Sequence, residues 1–463
     1  MHEIAFAPIE VLAERMACGA LSSRSLVETC LERIARLDGK LHAFVEVFET
    51  EALAAAEAAD RARAAGRARG PLHGIPVAIK DLFDFAGSPS GCGSRALGAS
   101  PARATASCVR RLEAAGMVVL GKTQMVELAF GGWGTNPVLG MPWNPWDPNV
   151  RRTPGGSSSG SAVAVAAGLV PAALGSDTGG SVRTPAAWCG IVGLKTSHGL
   201  IGRGGVMPLC PTHDSVGPLT RSVRDAALLL DCLAGPDPAD PATDQAPALS
   251  AMAEIEAGLS GLRLAVLPEE ELAATEPEVR GLFERALEEL AALGARVARP
   301  ALPSSIGDAL SDAGEIMSRE AFDHLGHLAV PDDSPLGPAV RARILHGREI
   351  DDCGYRRLLD RRRGAQAAFL AALEGFDALL APACHRTPVP LDDVDELVPP
   401  NLYGRFANYL DLASLAIPTG LTGNGLPAGL QVMVRRFADP LALRIGRAFE
   451  RVRGGLVSRP PGL

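Results

Sequence analysis

Helix-length and strand-length segments alternate along this chain, and that alternation predicts an α/β layered fold. Two kinds of observation carry it. Short apolar runs of strand length stand at 77–80, 262–267 and 378–382. Two pairs read as a helix followed at once by a strand: 105–115, closed by Gly116, before 117–120, and 279–293 before 296–298. With 463 residues, 47% hydrophobic and 21% charged, there is enough apolar material for a large core.

Taken in order, residues 8–66 read as helices. Ser22 or Ser23 caps a segment whose Leu26, Cys30, Leu31, Ile34 and Leu37 share one face. Residues 49–65 are Ala-rich and amphipathic and stop at Gly66. The run 77–80 is a buried strand that ends in a charge, Lys80. A loop of interleaved glycines and aromatics covers 127–137. A helix is expected at 158–167 and a strand at 171–174. Residues 235–250, rich in Pro, Asp and Ala, form a loop. Residues 302–376 are mainly helical, and a helix at 440–452 closes the chain. There is no internal repeat.

The stretch 154–193 organises the rest. It holds two Gly-Gly-Ser turns, Gly155-Gly156-Ser157 and Gly179-Gly180-Ser181. Glycines before a serine free the backbone for tight turns and leave the hydroxyl and nearby N–H groups open to a ligand. A serine nucleophile with a backbone oxyanion hole needs that arrangement. A flexible linker is the bland reading, but the turns run into the apolar stretch 162–167 and sit beside Asp177, Arg183 and Trp188. A phosphate loop requires a Gly-Lys-Ser/Thr opening a helix, and no such lysine follows either turn.

Lys80 has two readings. One is a lysine that snorkels at a strand end. The other is a desolvated amine held near neutrality. Moving it from about 10.4 to about 7 takes roughly 4–5 kcal/mol of differential interaction, which a buried strand end with a neighbouring positive charge would supply. Other polar motifs read as structural. His73 is a hydrogen-bonded structural histidine. His213-Asp214 is not taken as part of a Ser-His-Asp triad, because adjacency in sequence is not triad geometry. His324 and His327 lack a third ligand and read as surface residues, not a zinc site. Cys189 lies among Trp188, Ile191 and Val192 and reads as core.

The joint pattern Gly155-Gly156-Ser157-Ser158, Gly175 to Ser181, Val182-Arg183 and Pro185-Ala186 closely resembles the amidase signature family. The segment from Leu72 to Pro76, followed by Ile79-Lys80-Asp81, resembles that family's lysine segment. The likeness runs over about 8–452, weakest across 302–376. It implies a single domain over 8–452, with a large twisted mixed β-sheet covered by helices on both faces and a variable helical insert at about 302–376. It also implies a Ser–cis-Ser–Lys triad, with Ser181 as nucleophile, Ser157 as the bridging serine after a cis peptide, and Lys80 as base. The 24-residue spacing of the two serines agrees with the family pattern. By the same resemblance, the N–H groups of Thr178, Gly179, Gly180 and Ser181 form the oxyanion hole. Ser158 gives supporting hydrogen bonds, and Asp177 and Arg183 tie the loop as an ion pair. Phe130, Gly131 and Trp133 contact substrate, and loops in 125–140, 302–376 and 384–405 shape the pocket.

The implied function is hydrolysis of a small or aryl amide, or of an ester or carbamate, through an acyl-enzyme. The A subunit of glutamyl-tRNA(Gln) amidotransferase is the alternative. Thr184 stands where those subunits typically carry Gln, and 123–133 departs from their pattern. A non-catalytic binding protein on the same fold is the third reading. No cofactor or metal is implied. The partner expected is a small-molecule amide, not nucleic acid or a membrane, and a homodimer is compatible with the reading. The net charge of −8 argues against a broad phosphate-binding surface, and Arg61-Ala62-Arg63 and Arg361-Arg362-Arg363 read as solvated helix faces. Nine scattered cysteines without CxxC pairs fit a reduced, cytoplasmic setting. Met1-His2-Glu3-Ile4 opens no signal-peptide pattern.

Overall fold

The structure, a computed structural model, describes residues 2–454 and 459–463; Met1, where the leader reading starts, lies outside them. Among the described residues, eleven strands form one mixed sheet. They are β1 (Phe44–Val47), β2 (Pro76–Lys80), β3 (Val118–Thr123), β4 (Ala172–Asp177), β5 (Val192–Lys195), β6 (Ser215–Thr220), β7 (Arg263–Val266), β8 (Arg296–Ala298), β9 (Ala378–Pro382), β10 (Ala413–Leu421) and β11 (Pro427–Val434). Their order across the sheet is β1-β3-β2-β4-β6-β5-β10-β11-β9-β7-β8. β2 runs parallel to both β3 and β4, and β7 runs parallel to β8 and β9. The other neighbours are antiparallel. The α/β class and the large mixed sheet with its helical cover are therefore as the sequence predicts.

Registration of β2 on β4 places the site. Ile79 pairs with Leu174, so the carboxyl ends of both strands finish at one edge, with Lys80 beside the 175–177 segment. Ligand sites of open α/β sheets lie at such strand ends. Both strands are buried throughout. The helix Ser159–Ala166 packs on them with every residue buried. Its small side chains allow that closeness. A Cβ on Gly160 would stand 2.3 Å from the Ala43 carbonyl oxygen and 2.6 Å from the Gln124 backbone, so helix and backbone meet with no room for a side chain.

Several elements differ from expectation. β1, β5, β6, β10 and β11 were not foreseen as strands. β6 carries Gly217 and Pro218 in its interior, residues that argue against a strand in a sequence alone; Pro218 sits opposite Leu174 in the ladder. β4 runs on through Gly175, Ser176 and Asp177 because β6 pairs with it as far as Asp177–Ser215. Ser22 is the N-cap of the helix Ser23–Leu41, accepting the Ser25 N–H. The region 302–376 is helical as expected, in Ile306–Ala329, Pro338–His346 and Asp352–Ala372. The Arg361-Arg362-Arg363 reading needs correction. Arg361 and Arg363 are exposed, but Arg362 is buried and donates to the carbonyls of Tyr409, Asn408 and Thr212. Helical periodicity turned one guanidinium of the run inward. Among the described residues, no helix is long and apolar enough to cross a membrane.

Candidate active site

At the edge where β2 and β4 end, Lys80 is fully buried. Its Nζ donates to Ser157 Oγ at 2.8 Å and to Ser176 Oγ at 2.9 Å. Burial pushes the amine down to about 7, against the upward pull of the Asp177 and Asp214 carboxylates. The neighbouring positive charge expected from sequence is not among these causes, and desolvation outweighs two nearby carboxylates. Ser176 was overlooked as a partner of Lys80. Its only signal was its place in the Gly175-Ser176-Asp177 run, and the strand register is what brings it to the amine.

The Gly156–Ser157 peptide is cis, at the bond where the resemblance implied one. Gly156 is required there. A Cβ on it would lie 2.7 Å from Val126 Cγ2 and 2.8 Å from the Gly134 nitrogen. Ser157 is 0% exposed and Ser181 is 7% exposed. Of Lys80, Ser157 and Ser181, it is Ser181 that lines the adjoining cavity. Ser158 accepts the Ser176 N–H at 3.3 Å and donates to its carbonyl at 3.2 Å, clamping the two segments together.

Asp177 and Arg183 are both wholly buried and form a two-pronged pair, Nη2–Oδ1 at 2.8 Å and Nε–Oδ2 at 3.0 Å. Burial alone would raise the Asp177 carboxyl, but the Arg183 guanidinium, the Lys195 charge and the Val182 N–H together outweigh it and hold the group well below the usual carboxylate range. Arg183 also donates to Asn408 at 2.6 Å and Gln431 at 3.0 Å, two residues that sequence reading did not single out. Asp177 accepts from the backbone of Val182 at 3.0 Å and of Gly180 at 2.9 Å. That last bond corrects the oxyanion-hole reading, because the Gly180 N–H is already committed to a carboxylate. Among the described residues, the N–H groups of Thr178, Gly179 and Ser181 have no protein acceptor.

The cavity has a volume of about 260 Å³, small for a ligand site. Phe130, Gly131 and Trp133 line it, as do Met317, Arg343 and Arg405. The three pocket-shaping regions named from sequence therefore all reach it. Trp133 is held by donating to the Asp395 and Val398 carbonyls at 3.0 and 2.9 Å, and it packs near Trp188 with ring centroids 5.8 Å apart. The structural histidines behave as read. His73 Nε2 bonds the Ala59 carbonyl at 3.0 Å. His213 Nδ1 pairs with Cys210 Sγ at 2.9 Å, while Asp214 accepts Thr178 Oγ1 at 2.6 Å. His324 and His327 are exposed, and Cys189 is buried.

A buried amine, a serine after a cis peptide and a cavity-facing serine come together where β2 and β4 end, the grouping that the resemblance implied. The chain belongs to the amidase family, whose model matches residues 25–443. It is 36% identical over 479 residues to the A subunit of glutamyl-tRNA(Gln) amidotransferase from Chromohalobacter salexigens, covering 97% of each chain. Among solved structures, it matches a chain of a vestigial protein complex that reveals the evolutionary origins of an s-triazine catabolic enzyme. That match has TM-score 0.90 and 32% identity over 97% of this chain and 99% of that one. It also matches the native peptide amidase of Stenotrophomonas maltophilia, with TM-score 0.87 and 33% identity over 98% of each.

Proposed function

We propose that this chain cleaves the C–N bond of a small carboxamide through an acyl-enzyme on Ser181, with Ser157 as bridging serine and Lys80 as base. The observation that carries the reading is the 2.8 Å contact between a fully buried Lys80, held near 7, and Ser157. A neutral amine has a lone pair, so the Ser157 hydroxyl donates to it while accepting the proton of Ser181. Ser181 Oγ then bonds to the carbonyl carbon, and the π electron pair moves to oxygen. The open N–H groups of Thr178, Gly179 and Ser181 supply donors for that charge; losing one such donor typically costs about 3–4 kcal/mol in the barrier. Collapse breaks the C–N bond, and the leaving nitrogen takes its proton from Ser157. Water, deprotonated along the same relay, releases the acyl group and restores Ser181.

Two finer readings share this chemistry. The name of the Chromohalobacter relative favours an A subunit of a glutamyl-tRNA(Gln) amidotransferase, a glutaminase that passes ammonia to partner subunits. The comparisons support it better than a general aryl amidase. Thr184, where amidotransferase A subunits typically carry Gln, favours a free-standing amidase. One relative is named for its place in a multi-subunit enzyme and one structural neighbour comes from a complex, so both favour a different partner chain over a homodimer.

The separating experiment assays ammonia or amine release from glutamine, aliphatic amides, aryl amides, anilides and carbamates, with the chain purified alone and with any co-purifying partner. Turnover of glutamine that depends on a partner supports the amidotransferase reading. Turnover of another amide by the chain alone supports the free-standing enzyme. Activity that persists in both Ser181→Ala and Lys80→Ala overturns the mechanism. A wild type inert on every amide, with and without partner, leaves the binding-protein reading standing.

A further inference from the structure

The cavity beside Ser181 contains charges of both signs, and all but one are already matched. Glu396 is paired with Arg343 at 3.0 Å, and Arg343 also donates to the Phe130 carbonyl at 2.7 Å. Glu315 is paired with His346 at 2.9 Å. Arg405, on the short helix Gly404–Tyr409, lines the same cavity. Among the described residues it has no salt-bridge partner, and its guanidinium donates no hydrogen bond to protein.

Packing alone holds its stem. A Cβ on Gly179 would fall 2.9 Å from Arg405 Cγ, so the side chain lies directly on the proposed oxyanion loop. Gly314 leaves similar room, with its ideal Cβ position 3.3 Å from Nη1. The head group is thus placed between the loop that carries Ser181 and the helix Ile306–Ala329. The side chain is half-buried, and that burial, with the like charge of Arg343 added and no carboxylate to oppose it, pulls the guanidinium down from its usual value. A solvent-facing arginine escapes this cost, and an arginine kept for stability is normally paired. A guanidinium presents a planar fork of donors that matches a carboxylate two-pronged.

We infer that Arg405 is a specificity-determining residue and that the substrate is a small amide bearing a carboxylate, which the Arg405 guanidinium receives while Ser181 meets the amide carbonyl. The inference rests on the reading of Ser181 as nucleophile. The cavity volume of about 260 Å³ suits a small substrate.

The test uses malonamate, succinamate and glutaramate, each against the uncharged primary amide of equal chain length. With the wild-type chain, or its complex where a partner co-purifies, at least one carboxylate member is expected to exceed its neutral counterpart in kcat/KM by about 10- to 150-fold, the range of a charge-assisted hydrogen bond. Arg405→Gln is expected to erase that ratio, chiefly through KM, and Arg405→Lys to keep part of it. In parallel, calorimetry on Ser181→Ala measures binding of the same pairs without turnover, so a poorly folding Arg405 variant does not decide the matter. Equal kcat/KM for both members, a ratio unchanged in Arg405→Gln, or no binding preference in Ser181→Ala overturns the inference. Arg405-dependent binding of a carboxylate amide by Ser181→Ala, with no turnover by the wild type, keeps the anion site and defeats the hydrolase reading.

Discussion

Every residue from 153 to 189 is buried except Gly179, which lines the cavity with Gly156, Ser181 and Thr184, whereas in the helix Asp352–Ala372 only Leu358, Arg362 and Phe369 are buried. Between these extremes lies Ile306–Ala329, half core and half surface, which lends Met317 to the cavity wall. The buried stretch places its polar groups by backbone contact. Gly156 has no space for a side chain, Gly160 lies against the Gln124 backbone, and Asp177 ties Arg183 to two amides of its own loop. The helical region instead reaches the cavity with long side chains on exposed frames, and substitutions there keep the frame. The candidate chemistry is thus lodged in a buried stretch, and part of the cavity wall on a half-exposed helix.

That contrast is open to attack, beginning with its strongest claim. Ser181→Ala is expected to lower kcat/KM by on the order of 10³- to 10⁶-fold, as removal of other serine nucleophiles does. Amide turnover in steady state measures it, and a loss under tenfold breaks the assignment. Next is the pH dependence. Lys80 accepts a proton only when neutral, so kcat/KM is expected to rise with pH through about 7 and level off above it. A stability effect accompanies this. The lysine binds its proton more weakly folded than unfolded, where it titrates at about 10.4. Its contribution to stability is therefore full above that value and is lost as pH falls toward about 7. Urea midpoints of wild type and Lys80→Met across the alkaline range isolate this contribution, and parallel curves refute it.

Asp177→Asn comes third. It leaves the buried Arg183 without its counter-charge and is expected to cost about 3–5 kcal/mol, read as a shift in urea midpoint at constant slope. The smallest effect belongs to the exposed helix. Arg363→Ala breaks only a solvent-facing pair with Asp360 and is expected to change stability by under about 0.5 kcal/mol. A large loss there, or a small one at Asp177, reverses the comparison between the two regions.

Much of the fold and site was legible in the sequence, and the reasons are local. The strand 77–80, the helix 158–167 and the two Gly-Gly-Ser turns are dictated by short-range steric and apolar patterns. A lysine at the end of a fully apolar strand has a desolvated amine as one of its two readings, which foretells a value near 7. What misled was equally physical. Pro218 hid β6, because a proline inside a ladder is tolerated only where the partner strand makes no demand on its missing N–H. The inward turn of Arg362 was hidden because an arginine run looks the same whichever member faces the core.

Along the chain, the two Gly-Gly-Ser turns marked the candidate serines, and the resemblance to the amidase signature family assigned Lys80 to them. Which of their donors are free, and which charges are matched, was settled only by the packed fold. The commitment of the Gly180 N–H to Asp177, the second hydroxyl of Ser176 on Lys80, and the isolation of Arg405 among paired neighbours each depend on how loops and strands meet in space. Hydrogen bonding and ion pairing act over a few ångströms, and proximity of that kind is fixed by strand register and packing, not by spacing along the chain.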